Sequence, residues 1–277
     1  MDPQRTYVYD DVVYGTMKFR PDVMSGATDD PIILKSDGWP TYHLASVVDD
    51  TEMRITHVLR GEEWIPSMPK HLALYEALGA PPPVFVHLPL LVNADGTKLS
   101  KRSGDVRVTD YQERGWEPET LVNLVALTGY SHADVDRADQ DVKTMDELTE
   151  QFDLTRISHT RSTLPLDKLA YLNKHHLRCK LERARHCEKT PYNIVNSRLR
   201  PILYRMFGAD AMRDMSDDYI LRVAMLGQQR VDTLLQVPER MAYMFTEPNW
   251  DSRTCRDFRA TVPTASFQHV VMAAQAL

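Results

Sequence analysis

Cysteine is scarce in this sequence: Cys179, Cys187 and Cys255 are its only three. An odd number at wide spacing argues against a disulfide framework and fits a reducing compartment. His175 and His176 stand near Cys179 and Cys187. Their spacing matches no standard zinc finger, so no metal site is expected there. Long apolar runs are missing as well. No stretch reaches the roughly 18 residues a membrane helix requires, so no membrane contact is expected. Net positive charge is missing too: 33 Lys and Arg stand against 39 Asp and Glu, a balance of −6. This excludes attraction of the whole molecule to nucleic acid and leaves RNA contact to local cationic clusters. Repeats and low-complexity linkers are absent. Met1-Asp2-Pro3-Gln4-Arg5 forms neither a signal peptide nor an Arg-rich, acid-poor transit peptide.

What remains is an ordinary globular composition, 43% hydrophobic and 26% charged over 277 residues. That length buries a sizeable core and has room for two domains. Tyr7-Val8-Tyr9 and Val12-Val13-Tyr14 suggest short strands, and Ile32-Ile33-Leu34-Lys35 a further one, stopped by the turn Ser36-Asp37-Gly38. A helix follows over 41–50, capped by Thr41 or a neighbour, with Leu44, Val47 and Val48 as its apolar stripe. Tyr42, Ser46 and Asp49 fall on one other face. That line of phenol, hydroxyl and carboxylate either reads a small zwitterion or is a half-buried Tyr beside exposed acids.

Ile55-Thr56-His57-Val58-Leu59 reads as a buried strand that delivers Arg60 to its carboxyl end, where ligands sit in open α/β sheets. A guanidinium there suits a carboxylate. The alternative is a surface ion pair with Glu62 or Glu63. A carboxylate or backbone group in Glu62-Glu63-Trp64 is placed to meet a ribose or an adenine amino group. Pro69 to Gly79 forms a helix with Leu72, Tyr75 and Leu78 on one stripe. Val84-Phe85-Val86-His87-Leu88 is the next strand. The alternation of strands and helices implies a parallel sheet with crossovers. Then comes Lys98-Leu99-Ser100-Lys101-Arg102, three cations in five residues past an apolar run. It is either a solvated basic turn or a loop that holds polyphosphate.

Beyond residue 105 strand signals fade. Capping boxes begin at Thr109 and Thr144, and Pro118 and Gly129 bracket a helix. A further helix covers 166–177, with Leu166, Leu169, Tyr171, Leu172 and Leu177 as core. Helices are expected near 191–206, 216–229, 237–246 and 264–277. Residues 174–189 carry six Lys or Arg against two Glu. That cluster is either a solvated helix face or an RNA-backbone contact.

Residues 32–129 resemble glutamyl-tRNA synthetase of the bacterial and organellar type, a class I aminoacyl-tRNA synthetase. The matching text is 34–50, Ile55 to Trp64, His87-Leu88-Pro89-Leu90-Leu91 and Lys98 to Arg102, in the family's order and spacing. The helical remainder is more weakly similar to the animal mitochondrial enzyme. The resemblance implies an α/β fold followed by all-α. Residues 1–105 would be the C-terminal part of a Rossmann-like catalytic domain. Residues 106–190 would be a helical stem-contact region, and 191–277 an anticodon-binding-type domain.

It also implies the site. Tyr42, His43, Leu44, Ala45 and Ser46 would line a glutamate pocket, and Arg60 would pair the substrate's side-chain carboxylate. Glu63 would face ATP. Lys98, Leu99, Ser100, Lys101 and Arg102 would cover the triphosphate, with Lys98 and Lys101 as the charges on the transition state, converging with Arg60 on one crevice. Many relatives carry Asn where Ser46 stands. The implied reaction joins L-glutamate to ATP as glutamyl-adenylate and then to tRNA(Glu), and in some relatives to tRNA(Gln). Mg²⁺ accompanies the ATP, the protein supplies no metal ligands of its own, and the enzyme is a monomer of the mitochondrial matrix. The family opens with a His-Ile-Gly-His-like ATP signature and an early Arg. Nothing in residues 1–31 supplies the signature or matches that Arg, so the chain is expected to be a piece of the enzyme. The alternatives are a catalytically inactive tRNA-binding fragment and a glutaminyl-tRNA synthetase.

Overall fold

The computed structural model describes residues 5–20, 31–93, 95–97, 107–131, 141–186, 194–246 and 251–261. Two compact units emerge, Met1–His176 and Leu177–Leu277.

In the first unit a hairpin pairs β1 (Tyr7–Asp11) with β2 (Gly15–Phe19), antiparallel from Tyr7↔Phe19 to Asp11↔Gly15. The β1 pattern, buried at Tyr7, Tyr9 and Asp11 and exposed between, is the period-2 signature of a strand with one covered face. Val12-Val13-Tyr14, expected as a strand, is the turn of this hairpin. The Asp11 carboxylate accepts the Val13 and Tyr14 N–H groups, so these residues have no ladder to join.

Helix α1 (Tyr42–Glu52) leads to β3 (His57–Gly61), and a 3₁₀ turn, Glu62–Ser67, leads to α2 (Met68–Ala77) and β4 (Val84–Leu88). Among the described residues the sheet order is β2-β1-β4-β3. β3 and β4 run parallel, in register from His57↔Val84 to Gly61↔Leu88, joined by the α2 crossover. β4 also runs parallel to β1. Tyr9, Val47, Met68, Tyr75 and Phe85 form the core between sheet and helices.

Several expectations change in detail. Ile32 to Lys35 forms no strand. A single bridge joins Leu34 to Pro40 around a turn, and Ile32 is 75% exposed, because no strand among the described residues covers this run. Thr41 occupies the N-cap position of α1, yet its hydroxyl donates to the Ile32 carbonyl at 2.9 Å instead of accepting a helix N–H. The β3 strand starts later than expected and is only half-buried, with Leu59 exposed. In α2, Tyr75 is buried while Leu78 is exposed, since the helix ends at Ala77.

The rest of the described first unit is mainly helical. A short parallel pair joins β5 (Leu91–Val92) to β6 (Ser162–Thr163). Helices α3 (Val108–Glu113), α4 (Pro118–Ala126) and α5 (Met145–Gln151) intervene. The α5 capping box is present as read, with Thr144 and Glu147 bonding each other's backbone N–H. Thr109 caps nothing, because the helix begins one residue earlier, after Arg107. Tyr111, Leu124, Leu169 and Leu172 form a second core. Leu166 and Tyr171, expected in it, are exposed.

Helix α6 (Leu169–His186) ends in the second unit. There Leu177, Leu181, Val195, Leu199 and Leu203 pack with Met212, Ile220, Val237 and Met241. Helices α7 (Arg200–Phe207), α8 (Asp217–Gly227) and α9 (Val237–Arg240) supply much of that core, and α10 (Arg253–Thr261) follows. A π-helical turn, Val195–Leu199, precedes α7. Helix α10 was not anticipated from sequence, and the helix expected at 264–277 lies outside the described residues.

Candidate active site

Arg60 is the fourth residue of β3 and His87 the fourth of β4, and the two are register partners across the parallel pair. The half-buried guanidinium lies among apolar and neutral groups. Its Nε donates to His87 Nε2 at 3.3 Å, and Nη2 rests on Met68 Sδ at 3.0 Å. Its carbon lies 5.8 Å from the Trp64 ring centre and 5.9 Å from that of Phe85, within the range of cation–π attraction. Among the described residues, no carboxylate stands within ion-pair distance of Arg60. The surface pair with Glu62 or Glu63 does not form. Glu62 instead accepts from Tyr14 Oη and Arg161 Nε, each at 2.5 Å.

The first turn of α1 comes to the same place. The Tyr42 ring lies 4.8 Å from Trp64, and His43 lies 6.4 Å from it. His43 Nδ1 is 2.9 Å from Nε2 of buried His71. Leu44, Ala45 and Ser46 follow along the helix, half-buried. Trp64 thus stands beside all three of Tyr42, His43 and Arg60. Glu63 is exposed, and its carboxylate folds back over the α-carbon of Gly61, where any side chain would displace it. Lys98, Leu99, Ser100, Lys101 and Arg102 lie outside the described residues, so their convergence with Arg60 does too.

The three imidazoles are kept neutral. Burial pushes His71 down to about 3, helped by the charge of Arg60 and by His43 and His87. His43 is lowered by burial and by Lys70 and Arg60. His87 is lowered by burial, which outweighs the opposing bond and charge of Asp11. Arg60 thus carries positive charge in surroundings that neither neutralise it nor hydrate it fully. Such a cation attracts an anion more strongly than one in open water.

Sequence reasoning passed over Trp64, Met68, His71, His87 and Asp11 as site residues. One signal was available. His87 interrupts the apolar run Val84-Phe85-Val86, and a polar side chain inside a buried strand demands a partner. The basic cluster stands on α6, where Arg178, Arg183 and Arg185 are exposed and Arg178 pairs with Glu182 at 3.7 Å. Lys189 lies outside the described residues. Cys179 is exposed on the same helix. No helix among the described residues is long and apolar enough to cross a membrane.

The mixed sheet, with Arg60 near the end of one strand of its parallel β3–α2–β4 unit, is the setting in which the family model for the catalytic domain of class I tRNA synthetases (E and Q) matches residues 1–171. The chain belongs to that family. It is 41% identical over 246 residues to a glutamate–tRNA ligase of Chlorobaculum parvum, covering 87% of this chain and 46% of that protein. Over 170 residues it is 48% identical to the same enzyme of Chlorobium phaeovibrioides, covering 61% of this chain and 32% of that one. The crystal structure of a glutamate tRNA ligase from Elizabethkingia meningosepticum, in complex with its amino acid, superposes with a TM-score of 0.75 at 28% identity. It covers all of this chain and 54% of that one. The chain spans about half the length of the curated relatives it matches.

Proposed function

We propose that the chain carries part of a glutamate–tRNA ligase and that Arg60 binds the side-chain carboxylate of L-glutamate. The single observation that carries this reading is a half-buried guanidinium with no carboxylate partner among the described residues. A planar fork takes a carboxylate in two parallel charge-assisted bonds and gives glutamine, which is neutral, a weaker contact. Tyr42 and Trp64 wall the same site, and the Tyr42 hydroxyl offers a polar end to the amino acid. Leu44, Ala45 and Ser46 extend that wall, and Glu63 is proposed to face the nucleotide.

In the proposed first step a glutamate α-carboxylate oxygen attacks the ATP α-phosphorus. The bond to the bridging oxygen breaks, pyrophosphate leaves and glutamyl-adenylate remains. A ribose hydroxyl at the tRNA terminus then attacks the activated carbonyl and AMP leaves. Positioning and charge stabilisation carry such reactions. Lys98 and Lys101, with Leu99, Ser100 and Arg102, are proposed to meet the triphosphate. Among the described residues no group of three or more His, Cys, Asp or Glu could hold a metal, and Mg²⁺ is proposed to arrive with ATP.

The helical region 106–190 is proposed to contact the tRNA stem, and 191–277 to be of anticodon-binding type, with the exposed arginines of α6 on the RNA backbone. The partner is proposed to be tRNA(Glu), with tRNA(Gln) as a further substrate, and the enzyme to act as a monomer. Placement in the mitochondrial matrix rests on the resemblance of the helical half. A fluorescent fusion of the complete reading frame tests it.

Glutamate-dependent ATP–pyrophosphate exchange in the presence of tRNA tests the activity of this chain, and isothermal titration with glutamate tests its amino acid site. Glutamate binding that disappears in Arg60→Gln supports the reading. No glutamate binding by the wild-type chain refutes it.

A further inference from the structure

Behind Arg60 lie two residues to which the proposed reaction gives no role, Asp11 and His87. Both side chains are fully buried. Asp11 Oδ1 accepts the N–H groups of Val13 at 2.9 Å and Tyr14 at 3.0 Å, closing the β1–β2 turn. Its Oδ2 lies 3.1 Å from the His87 backbone N–H and 2.6 Å from His87 Nδ1. A carboxylate has no proton to give, so Nδ1 carries the proton of that bond. In a neutral ring Nε2 then presents a lone pair. Arg60 Nε–H points at it.

The consequence concerns which edge of the guanidinium is free. Nε and Nη2 share one edge of the fork, and that edge faces His87 Nε2 and Met68 Sδ. The outer edge, Nη1 with the second hydrogen of Nη2, is left for a ligand. A wrong tautomer would set Nε2–H against Nε–H, two donors face to face, and turn the fork away.

We propose that Asp11 and His87 are positioning residues for Arg60: Asp11 sets the His87 tautomer, and His87 Nε2 holds one edge of the guanidinium so that the other meets the substrate carboxylate. The proposal rests on the reading of Arg60 as the glutamate clamp. The orienting chain crosses three neighbouring strands, from the last residue of β1 through β4 to β3. This ties carboxylate recognition to the hairpin turn through the two oxygens of one Asp11 carboxylate.

The test uses this chain with ¹⁵N-labelled histidine. The His87 signals are assigned by their loss in His87→Asn, and their shifts report the tautomer. Glutamate affinity is measured by titration for wild type, His87→Asn and Asp11→Asn, with melting curves alongside. The Asn at 87 keeps a donor toward Asp11 and deletes the acceptor for Arg60. The Asn at 11 turns an N–H toward Nδ1 and drives the proton to Nε2.

The expected result is an Nδ1–H tautomer in wild type, an Nε2–H tautomer in Asp11→Asn, and glutamate affinity about tenfold lower in both variants, the effect of one lost bond to a charged group. An Nε2–H tautomer in the wild type overturns the proposal without recourse to any variant. A wild type that binds glutamate, with variants that bind equally, overturns this proposal alone. A wild type that binds no glutamate overturns the clamp reading and takes this one with it.

Discussion

Glu62 and Arg161 are 99 positions apart in sequence, and their side chains meet at 2.5 Å, with the second Glu62 oxygen on the Tyr14 hydroxyl. One carboxylate thereby joins the hairpin turn, the exit of β3 and the segment before β6. It also removes Glu62 from any role as counter-charge to Arg60, its neighbour two residues away.

That carboxylate should make stability depend on acid. Burial raises the Glu62 pKa, but the bonds from Tyr14 and Arg161 outweigh it and leave it below the ordinary glutamate value. A depressed pKa means that the unfolded state binds more protons in acid. The contribution is therefore present above the ordinary glutamate value and is lost as pH falls through the folded one. Glu62→Gln should cost about 1–3 kcal/mol at neutral pH, the range for a buried bond to a charged group. It should also flatten the acid limb of a melting-temperature profile. Because the Arg161 side chain is 60% exposed, Arg161→Ala should cost only about 0–1 kcal/mol. Equal losses in the two variants would contradict this account.

Arg60→Lys should not rescue the site. A lysine brings one point charge and cannot hold His87 and a carboxylate with separate edges of one planar group. Glutamate affinity is expected to fall by about 2–5 kcal/mol in Arg60→Gln, the cost of removing one partner of a buried charge pair. Arg60→Lys should show most of that loss as well. Calorimetric titration with glutamate and with glutamine measures both terms, and Arg60→Gln should narrow the difference between the two ligands.

His71 should contribute a second pH dependence, at milder acidity. Its pKa is about 3 in the folded chain, through burial and the charge of Arg60, against an ordinary value near 6.5. Between those values the unfolded state holds the extra proton, so stability rises with pH and falls on acidification. The slope expected is about 1.4 kcal/mol per pH unit for a single proton. Urea unfolding of His71→Gln from pH 4 to pH 7 should show a shallower slope than wild type. An unchanged slope would mean that His71 is accessible to protons in the folded state.

The capping box of α5 provides a local control. Thr144 and Glu147 bond each other's backbone N–H at 3.2 and 2.8 Å. Thr144→Ala should destabilise the first unit by about 1 kcal/mol, measured by thermal melting. Glutamate binding should stay unchanged, since the bonds of Thr144 and Glu147 run to each other and not to the groups around Arg60.

Much of the fold was legible because local rules governed it. The apolar run Val84-Phe85-Val86 announced β4, Pro118 opened α4, and Thr144 with Glu147 announced α5. Where a run had no partner the same rules misled. Ile32-Ile33-Leu34 has strand composition, yet no strand among the described residues lies against it, and it remains exposed. Val12-Val13-Tyr14 became a turn because a carboxylate one residue earlier captured two of its N–H groups.

The site divides in the same way. Sequence by itself determined that an arginine would stand at the end of a strand, beside a helix that begins with Tyr42, and that the segments follow a synthetase family's order. Only the tertiary structure decided what surrounds that arginine. Periodicity tells each strand which face to bury, but the pairing of one strand with another is settled by the packing of the whole unit. The bonds of Asp11 to His87 and of His87 to Arg60 reach across 76 and 27 positions. They exist because β1, β4 and β3 lie side by side in one register, and no local pattern encodes that.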